Sequence, residues 1–304
     1  MATILAAANG NWSNTATWTG GVVPGAGDIA VANAKTVTLD VATITVASLR
    51  TDTTGGATNG GTFALAMPAT TINGDVAAGN QTAIMGPAPG RTLTVNGTVT
   101  GGSVSYCYGV HQLGGALTVT NATGGAGSSA YGVYQIGGTL TVTNATGGAG
   151  AYSPGVYVAG GQATVTDAYG GAGTQAYGCW VNGGEATIDK AWGTAALAGG
   201  YVQAGVLTVN EAIGGNTATN TPSVVNANTG GKLQCKKITF GPLGQCPVQG
   251  QVRLLVDASI ANPFYMALNA DYPSAGSGTN PAYTTATALD ERVTAIVAEM
   301  VRTQ

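Results

Sequence analysis

A Gly-Gly pair recurs every 23 residues through the middle of the chain, at Gly114-Gly115, Gly137-Gly138, Gly160-Gly161 and Gly183-Gly184, and the flanking text recurs with it. The aligned segments read GVHQLGGALTVTNATGGAG, GVYQIGGTLTVTNATGGAG, GVYVAGGQATVTDAYGGAG and GCWVNGGEATIDKAWGTAA. A fixed period in the low twenties, carried by short β-type runs between glycines, specifies a solenoid. One such unit cannot bury its apolar face alone, so successive units stack, and side chains at matching positions form columns along the stack.

The run TLTVT (139–143) supplies the template. Alternation sends Leu140 and Val142 to one face and the threonines to the other. Steps of 23 carry the inward pair to Leu117 and Val119, to Ala163 and Val165, and to Ala186 and Ile188. Further out the step changes while the strand persists. Leu207 and Val209 follow after 21 residues, Leu233 and Cys235 after another 26, and Leu93 and Val95 precede by 24. Loop insertions and deletions produce this pattern. About six coils thus lie between residues 86 and 235, a rod of about 30 Å at ~4.8 Å per rung. Threonine suits the outward positions because it is β-branched, and glycine suits the corners because left-handed backbone costs it little.

The expected fold is therefore all-β: a single-stranded, right-handed parallel β-helix with coils of about 23 residues. Residues 1–30 read as an N-terminal capping segment, 31–85 as irregular coils of the same solenoid and 86–235 as the regular repeats. Residues 236–304 read as further strands, a loop and a short amphipathic helix. In that helix Leu289, Val293, Ile296 and Met300 share a face that needs a partner surface.

Charged residues make up 8% of the chain, against roughly 25% in ordinary domains. With ten basic residues, a net charge of −3 and no basic face, no nucleic-acid partner is expected. No apolar run reaches the roughly 20 residues that cross a bilayer, so no membrane insertion is expected. The start, MATILAAANGNW, lacks the pattern of a secretory leader, and the chain is expected to fold where it is made or to be released by lysis. Four cysteines and the single histidine, His111, have no metal-ligand spacing, so neither metal nor cofactor is expected.

Stacking turns offsets into neighbours. One outward column runs Asn121, Asn144, Asp167, Lys190 and continues to Glu211 and Lys237. It reads as a polar ladder that fixes register, or as a sugar- or ion-binding row. A second column, His111, Tyr134, Tyr157 and Trp180, has a companion in Tyr108, Tyr131, Pro154 and Tyr177. These rings either stabilise the stack or face sugar rings or a partner protein. Glycan cleavage needs paired carboxylates, for which Asp167, Glu185 and Asp189 are the candidates. Lys190 beside Asp167 and Glu211 suits such chemistry poorly. With no arginine between Arg91 and Arg253, a site clamping uronic acids is not expected. Cys235 and Cys246 flank ITFGPLGQ, which reads as a hairpin, and would pair if its register allows; they also read as two unrelated thiols.

The segment GNWSNTATWTGGVVPGAGDIAVANAKTVTLD (10–40) resembles the N-terminal segment of β-helical surface proteins of bacteriophages and bacteria, through Trp12, Trp18, Gly20, Pro24, Gly27 and Asp28. Trp12 and Trp18 would cover the open end of the first coil. The resemblance implies a homotrimeric, non-catalytic virion protein assembled in the host cytoplasm and exposed on the particle, with capsid or tail proteins as partners. The small segment after residue 235 favours a capsid decoration or head-fibre protein over a receptor-binding tail fibre or tailspike. A tail fibre that binds or depolymerises host surface glycan is the first alternative, and a bacterial adhesin the second.

Overall fold

The computed structural model describes residues 1–52, 60–174, 176–194, 198–214, 224–226, 231–239, 248–249 and 253–254. The chain is a parallel β-solenoid of about nine turns with coils of about 23 residues. Among the described residues the only helical elements are two 3-10 turns, Thr15–Thr17 and Thr19–Gly21.

Each regular coil has a short strand and a long one. The short strands Val110–Gln112, Val133–Gln135 and Val156–Val158 stack in parallel, and Val156–Val158 stacks on the start of Cys179–Trp192. The long strands Thr92–Thr100, Ala116–Thr123, Thr139–Thr146 and Gln162–Tyr169 stack likewise, leading into Cys179–Trp192 and Gly200–Ile213. Every regular step is in the register expected from the repeat: Leu117 over Leu140, Ala163 over Ala186, and then Leu207 after the 21-residue step and Leu233 after the 26-residue step.

The long strand bends once. Leu117 and Val119 are buried, Thr120 and Asn121 both face outward, and Ala122 is buried again. Strict alternation would have sent Asn121 inward. The slip by one residue turns the strand and divides it into two walls. We call these the threonine wall (116–119 and equivalents) and the polar wall (121–123 and equivalents); the short strands form the aromatic wall.

The bore is filled by the predicted columns. Leu93, Leu117, Leu140, Ala163, Ala186, Leu207 and Leu233 are buried, as are Val95, Val119, Val142, Val165, Ile188 and Val209. On the polar wall the inner column Ala30, Leu49, Val76, Val99, Ala122, Ala145, Ala168, Ala191 and Ala212 runs almost the whole stack. The corner before each long strand turns on a left-handed glycine: Gly115, Gly138, Gly161, Gly184 and Gly205 have φ between 61° and 80°. A Cβ on Gly161 would also stand 2.5 Å from the carbonyl oxygen of Gly138, so these corners need glycine for both conformation and closeness.

The described residues before 78 belong to the same stack. Thr3–Leu5 pairs in parallel with Ile29–Val31, which pairs with Thr43–Arg50, and that strand with Ala69–Ala77. The N-terminal segment is therefore a first rung as well as a cap. Their third wall is separate, a three-stranded parallel sheet of Gly10–Asn11, Thr36–Leu39 and Thr62–Leu65. It stops at Thr62–Leu65, and the aromatic wall begins at Ile84–Met85, which pairs with Val110–Gln112. At this change of wall the bore opens into a cavity of about 290 Å³ lined by Leu39, Leu49, Phe63, Leu65, Ile72 and Leu93, among others.

The N-terminal motif is explained by this end of the rod. Trp12 and Trp18 are buried and meet edge to face at 4.9 Å. Trp18 Nε1 donates to the carbonyl oxygen of Trp12 at 2.9 Å. Gly20 and Gly27 have φ of 79° and 85°. The Asp28 carboxylate accepts from the N–H of Ala2 and of Gly25, and these bonds hold its pKa below the usual carboxylate range.

At the other end the solenoid continues beyond residue 235. Lys232–Thr239 stacks as one strand on Gly200–Ile213, so the expected boundary between 235 and 236 falls inside it. Val248–Gln249 pairs in parallel with Val224–Asn226, and most of ITFGPLGQ, expected as a hairpin, lies outside the described residues. Cys235 is in register with Val209. Cys246 and the helical positions Leu289, Val293, Ile296 and Met300 lie outside the described residues.

Candidate recognition face

The aromatic wall presents its rings outward because its short strands alternate. Val110 and Gln112 are buried and His111 between them is not; Val133, Tyr134 and Gln135 repeat the pattern, as do Val156, Tyr157 and Val158. Register places His111, Tyr134, Tyr157 and Trp180 on successive rungs, as expected, and extends the column to Tyr201 after a 21-residue step. The structure thus settles which way these rings point: out of the bore and only partly buried.

The rings cover one another. His111 and Tyr134 stack at 4.8 Å and 10°, while Tyr157 and Trp180 meet edge to face at 5.1 Å, as Trp180 and Tyr201 do at 5.3 Å. The companion column interleaves with the first: Tyr108 stacks on Tyr131 at 5.1 Å, and Tyr177 meets Tyr201 at 4.7 Å. Asn182 Nδ2 donates to the Tyr157 hydroxyl at 2.9 Å. Burial, then the neighbouring Tyr131 and Tyr134 hydroxyls, push Tyr108 up to about 12, and burial raises Tyr131, Tyr157 and Tyr177 as well. Burial also holds the His111 imidazole below its ordinary value, so it is neutral at pH 7. His111 Nε2 and Trp180 Nε1 are shielded from solvent without a hydrogen-bond partner. The wall is a packed ladder whose ring faces are largely occupied by other rings, with edges and hydroxyls left for a partner.

Around this ladder lie large apolar side chains that the repeat pattern did not single out. Leu113 is 49% and Ile136 43% exposed, one residue beyond the short strands. At the adjoining corner Tyr106 is 67% and Tyr152 47% exposed, both with φ near 60°. That region is unfavourable for a bulky L-residue, and such conformations persist where the surrounding structure imposes them.

The outward column of the polar wall is the one expected from the repeat spacing. Asn121, Asn144, Asp167, Lys190, Glu211 and Lys237 occupy successive rungs. Asn144 Nδ2 donates to Asn121 Oδ1 at 2.8 Å, the amide ladder that such a column builds. The three carboxylates weighed for catalysis fall in three different ladders. Asp167 lies opposite Lys190, and Glu185 is paired with Gln162 and accepts from its Nε2 at 3.4 Å. Asp189 sits at the bend and accepts from Asn210 Nδ2 at 2.8 Å. Glu185 and Asp189 are thus hydrogen-bonded along their own ladders, and the three carboxylates do not share the single ladder from which a pair flanking one substrate bond would be built.

A second ring pair, Tyr169 and Trp192, stacks at 5.7 Å on the polar wall. Among the described residues no group of three or more His, Cys, Asp or Glu is placed to hold a metal ion, and no helix is long and apolar enough to cross a membrane. Comparison of the chain with protein-family models, with curated proteins and with solved structures returns no match.

Proposed function

We propose that the chain is a non-catalytic structural protein of a bacteriophage particle. In this reading it is assembled in the host cytoplasm and exposed on the virion as a homotrimeric capsid decoration or head-fibre protein. The observation that carries the reading is the end of the rod. The Trp12–Trp18 pair, the left-handed Gly20 and Gly27 and the Asp28 turn close the first coil with the very residues that resemble phage and bacterial β-helical surface proteins. The in-register stack behind that plug supports it: a rod of touching columns has few soft modes and suits a spacer or projection. The dispersal of the three carboxylates over separate ladders, two of them hydrogen-bonded there, supports the non-catalytic reading. The test is to mix purified protein with empty capsids and, separately, with tails, and to measure co-sedimentation. Saturable binding to capsids is expected; binding to neither particle would overturn the proposal.

The aromatic wall favours one second reading, a tail fibre or spike that engages host surface glycan. Incubation with capsular polysaccharide, followed by measurement of new reducing ends, separates the two. The structural reading predicts no release. Release that Asp167→Asn or Glu185→Gln abolishes would establish a depolymerase.

A further inference from the structure

The walls of the regular coils differ in one property that bears on assembly. The outward side of the polar and threonine walls carries Asp167, Glu185, Asp189, Lys190 and Glu211. The aromatic wall and its approaches (104–113, 128–136, 151–159, 177–182 and 198–204) contain no Asp, Glu, Lys or Arg. Seven large hydrophobic residues are exposed in the described chain, and five of them, Val104, Tyr106, Leu113, Ile136 and Tyr152, lie on this wall or its corner. Apolar and aromatic surface of this kind, depleted of charge and gathered on one side, is what the cores of interfaces between identical subunits look like.

We infer that the aromatic wall is the surface through which copies of this chain associate, side by side and parallel, with Ile136 and the Tyr134–Tyr157 rings at the contact. This rests on the homotrimeric reading above and names its interface. Periodicity selects the occupant. The wall repeats one pattern at every rung, ~4.8 Å apart, over the rungs of His111, Tyr134, Tyr157, Trp180 and Tyr201. A partner that fits it at every rung must repeat at the same interval, and a second copy in parallel register does so. A glycan chain would seek ring faces to stack its sugars on, and here neighbouring rings already occupy those faces. Around a three-fold axis along the rod, each wall would meet both neighbours and Ile136 would stand beside its own symmetry mates. Size sets a condition. Five rungs by one three-residue short strand is a strip of about 20 by 10 Å, well below the roughly 800 Å² per partner of a standard interface. The corner side chains Val104, Tyr106 and Tyr152 must therefore join the contact, which gives their exposure, and the left-handed backbone of Tyr106 and Tyr152, a role.

The experiment is light scattering on the full chain and on two single variants whose melting curves match wild type. Ile136→Lys charges the aromatic wall; Thr141→Lys charges an exposed site on the threonine wall. The expected result is three times the chain mass of 29.7 kDa for wild type and Thr141→Lys, and the single-chain mass for Ile136→Lys. An Ile136→Cys variant should in addition be captured as a covalent dimer by a short bis-maleimide that leaves wild type uncrosslinked. A wild-type oligomer that only Thr141→Lys dissociates would overturn the interface and leave the trimer standing. A dimer or tetramer dissociated by Ile136→Lys would keep the interface and correct the subunit number. A wild type of single-chain mass at every concentration would overturn both. An unchanged trimer mass for Ile136→Lys would overturn the interface and leave the trimer standing.

Discussion

The rungs from Thr92 to Ile213 and those from Ile29 to Ala77 share inner columns but are closed differently. In the later rungs the third wall is the aromatic one, and the bore is filled by columns of Leu, Val, Ile and Ala stacked in register on small or branched apolar neighbours above and below. In the earlier rungs the third wall is a separate sheet that ends at Thr62–Leu65. The handover leaves a cavity of about 290 Å³. Exact repetition makes each rung a template for the next, so packing solved once is solved throughout. Where coil length and third wall change together, no single arrangement satisfies both sides and space is left over.

The largest expected contrast comes from removing the same side-chain atoms in the two regions. Leu140→Ala should destabilise by ~2–5 kcal/mol, because its column neighbours Leu117 and Ala163 cannot close the gap. Leu65→Ala, at a partly buried site already beside a void, should cost only about 1 kcal/mol. Chemical denaturation of both variants measures the difference, and equal losses would remove the distinction between the regions.

Glycine corners sharpen the same contrast. Gly161 and Gly90 both have φ of 79°, but a Cβ on Gly90 meets nothing within 4 Å, whereas on Gly161 it meets the backbone of the rung before. Gly90→Ala should therefore cost about 1–2 kcal/mol, the left-handed penalty alone. Gly161→Ala should cost roughly 3 kcal/mol, because rungs must also be pushed apart. Thermal melts of the two variants provide the check.

The junction should also respond to filling. Ala83 lines the cavity, and Ala83→Leu is expected to stabilise by about 0.5–1 kcal/mol, as cavity-filling changes commonly do; a rise in melting temperature would show it. The same enlargement in the regular bore, Ala168→Leu, should destabilise through overpacking.

The smallest effect concerns pH. Tyr108 has its folded pKa pushed up to about 12 against an ordinary 10, so the unfolded chain loses that proton first as pH rises. Stability from this group is complete below pH 10 and falls between 10 and 12. A melting temperature that declines across that window in wild type, and declines less in Tyr108→Phe, is the expected outcome.

The comparison also marks how far the sequence could be read. The inner columns were legible because like letters at one spacing admit one stacking; the 21-residue step was betrayed by the Leu207-x-Val209 pair and the 26-residue step by Leu233-x-Cys235. The change of third wall was not legible. TFALA at 62–66 alternates like any strand, and alternation says which face is buried without saying which wall the strand joins. The bend at Thr120–Asn121 could have been found, since two successive polar residues interrupt the alternation in every repeat. Tyr201 escaped because its step from Trp180 is 21 residues. Leu113 and Ile136 escaped because single apolar residues beside glycine corners look like loop composition. The polar ladder was legible from its column, but the dispersal of Asp167, Glu185 and Asp189 over three ladders needed the bend to be known first.

The central claim is that successive turns lie directly over one another in register. Pulsed EPR between nitroxides on the threonine ladder tests it most directly, with labels at Thr94 and Thr187, Thr94 and Thr208, and Thr71 and Thr208. These pairs are separated by four, five and six rungs. The account predicts narrow distributions whose centres lengthen by ~4.8 Å with each added rung. Centres that fail to lengthen in equal steps, or that cluster at one short distance as in a compact sandwich, would contradict it.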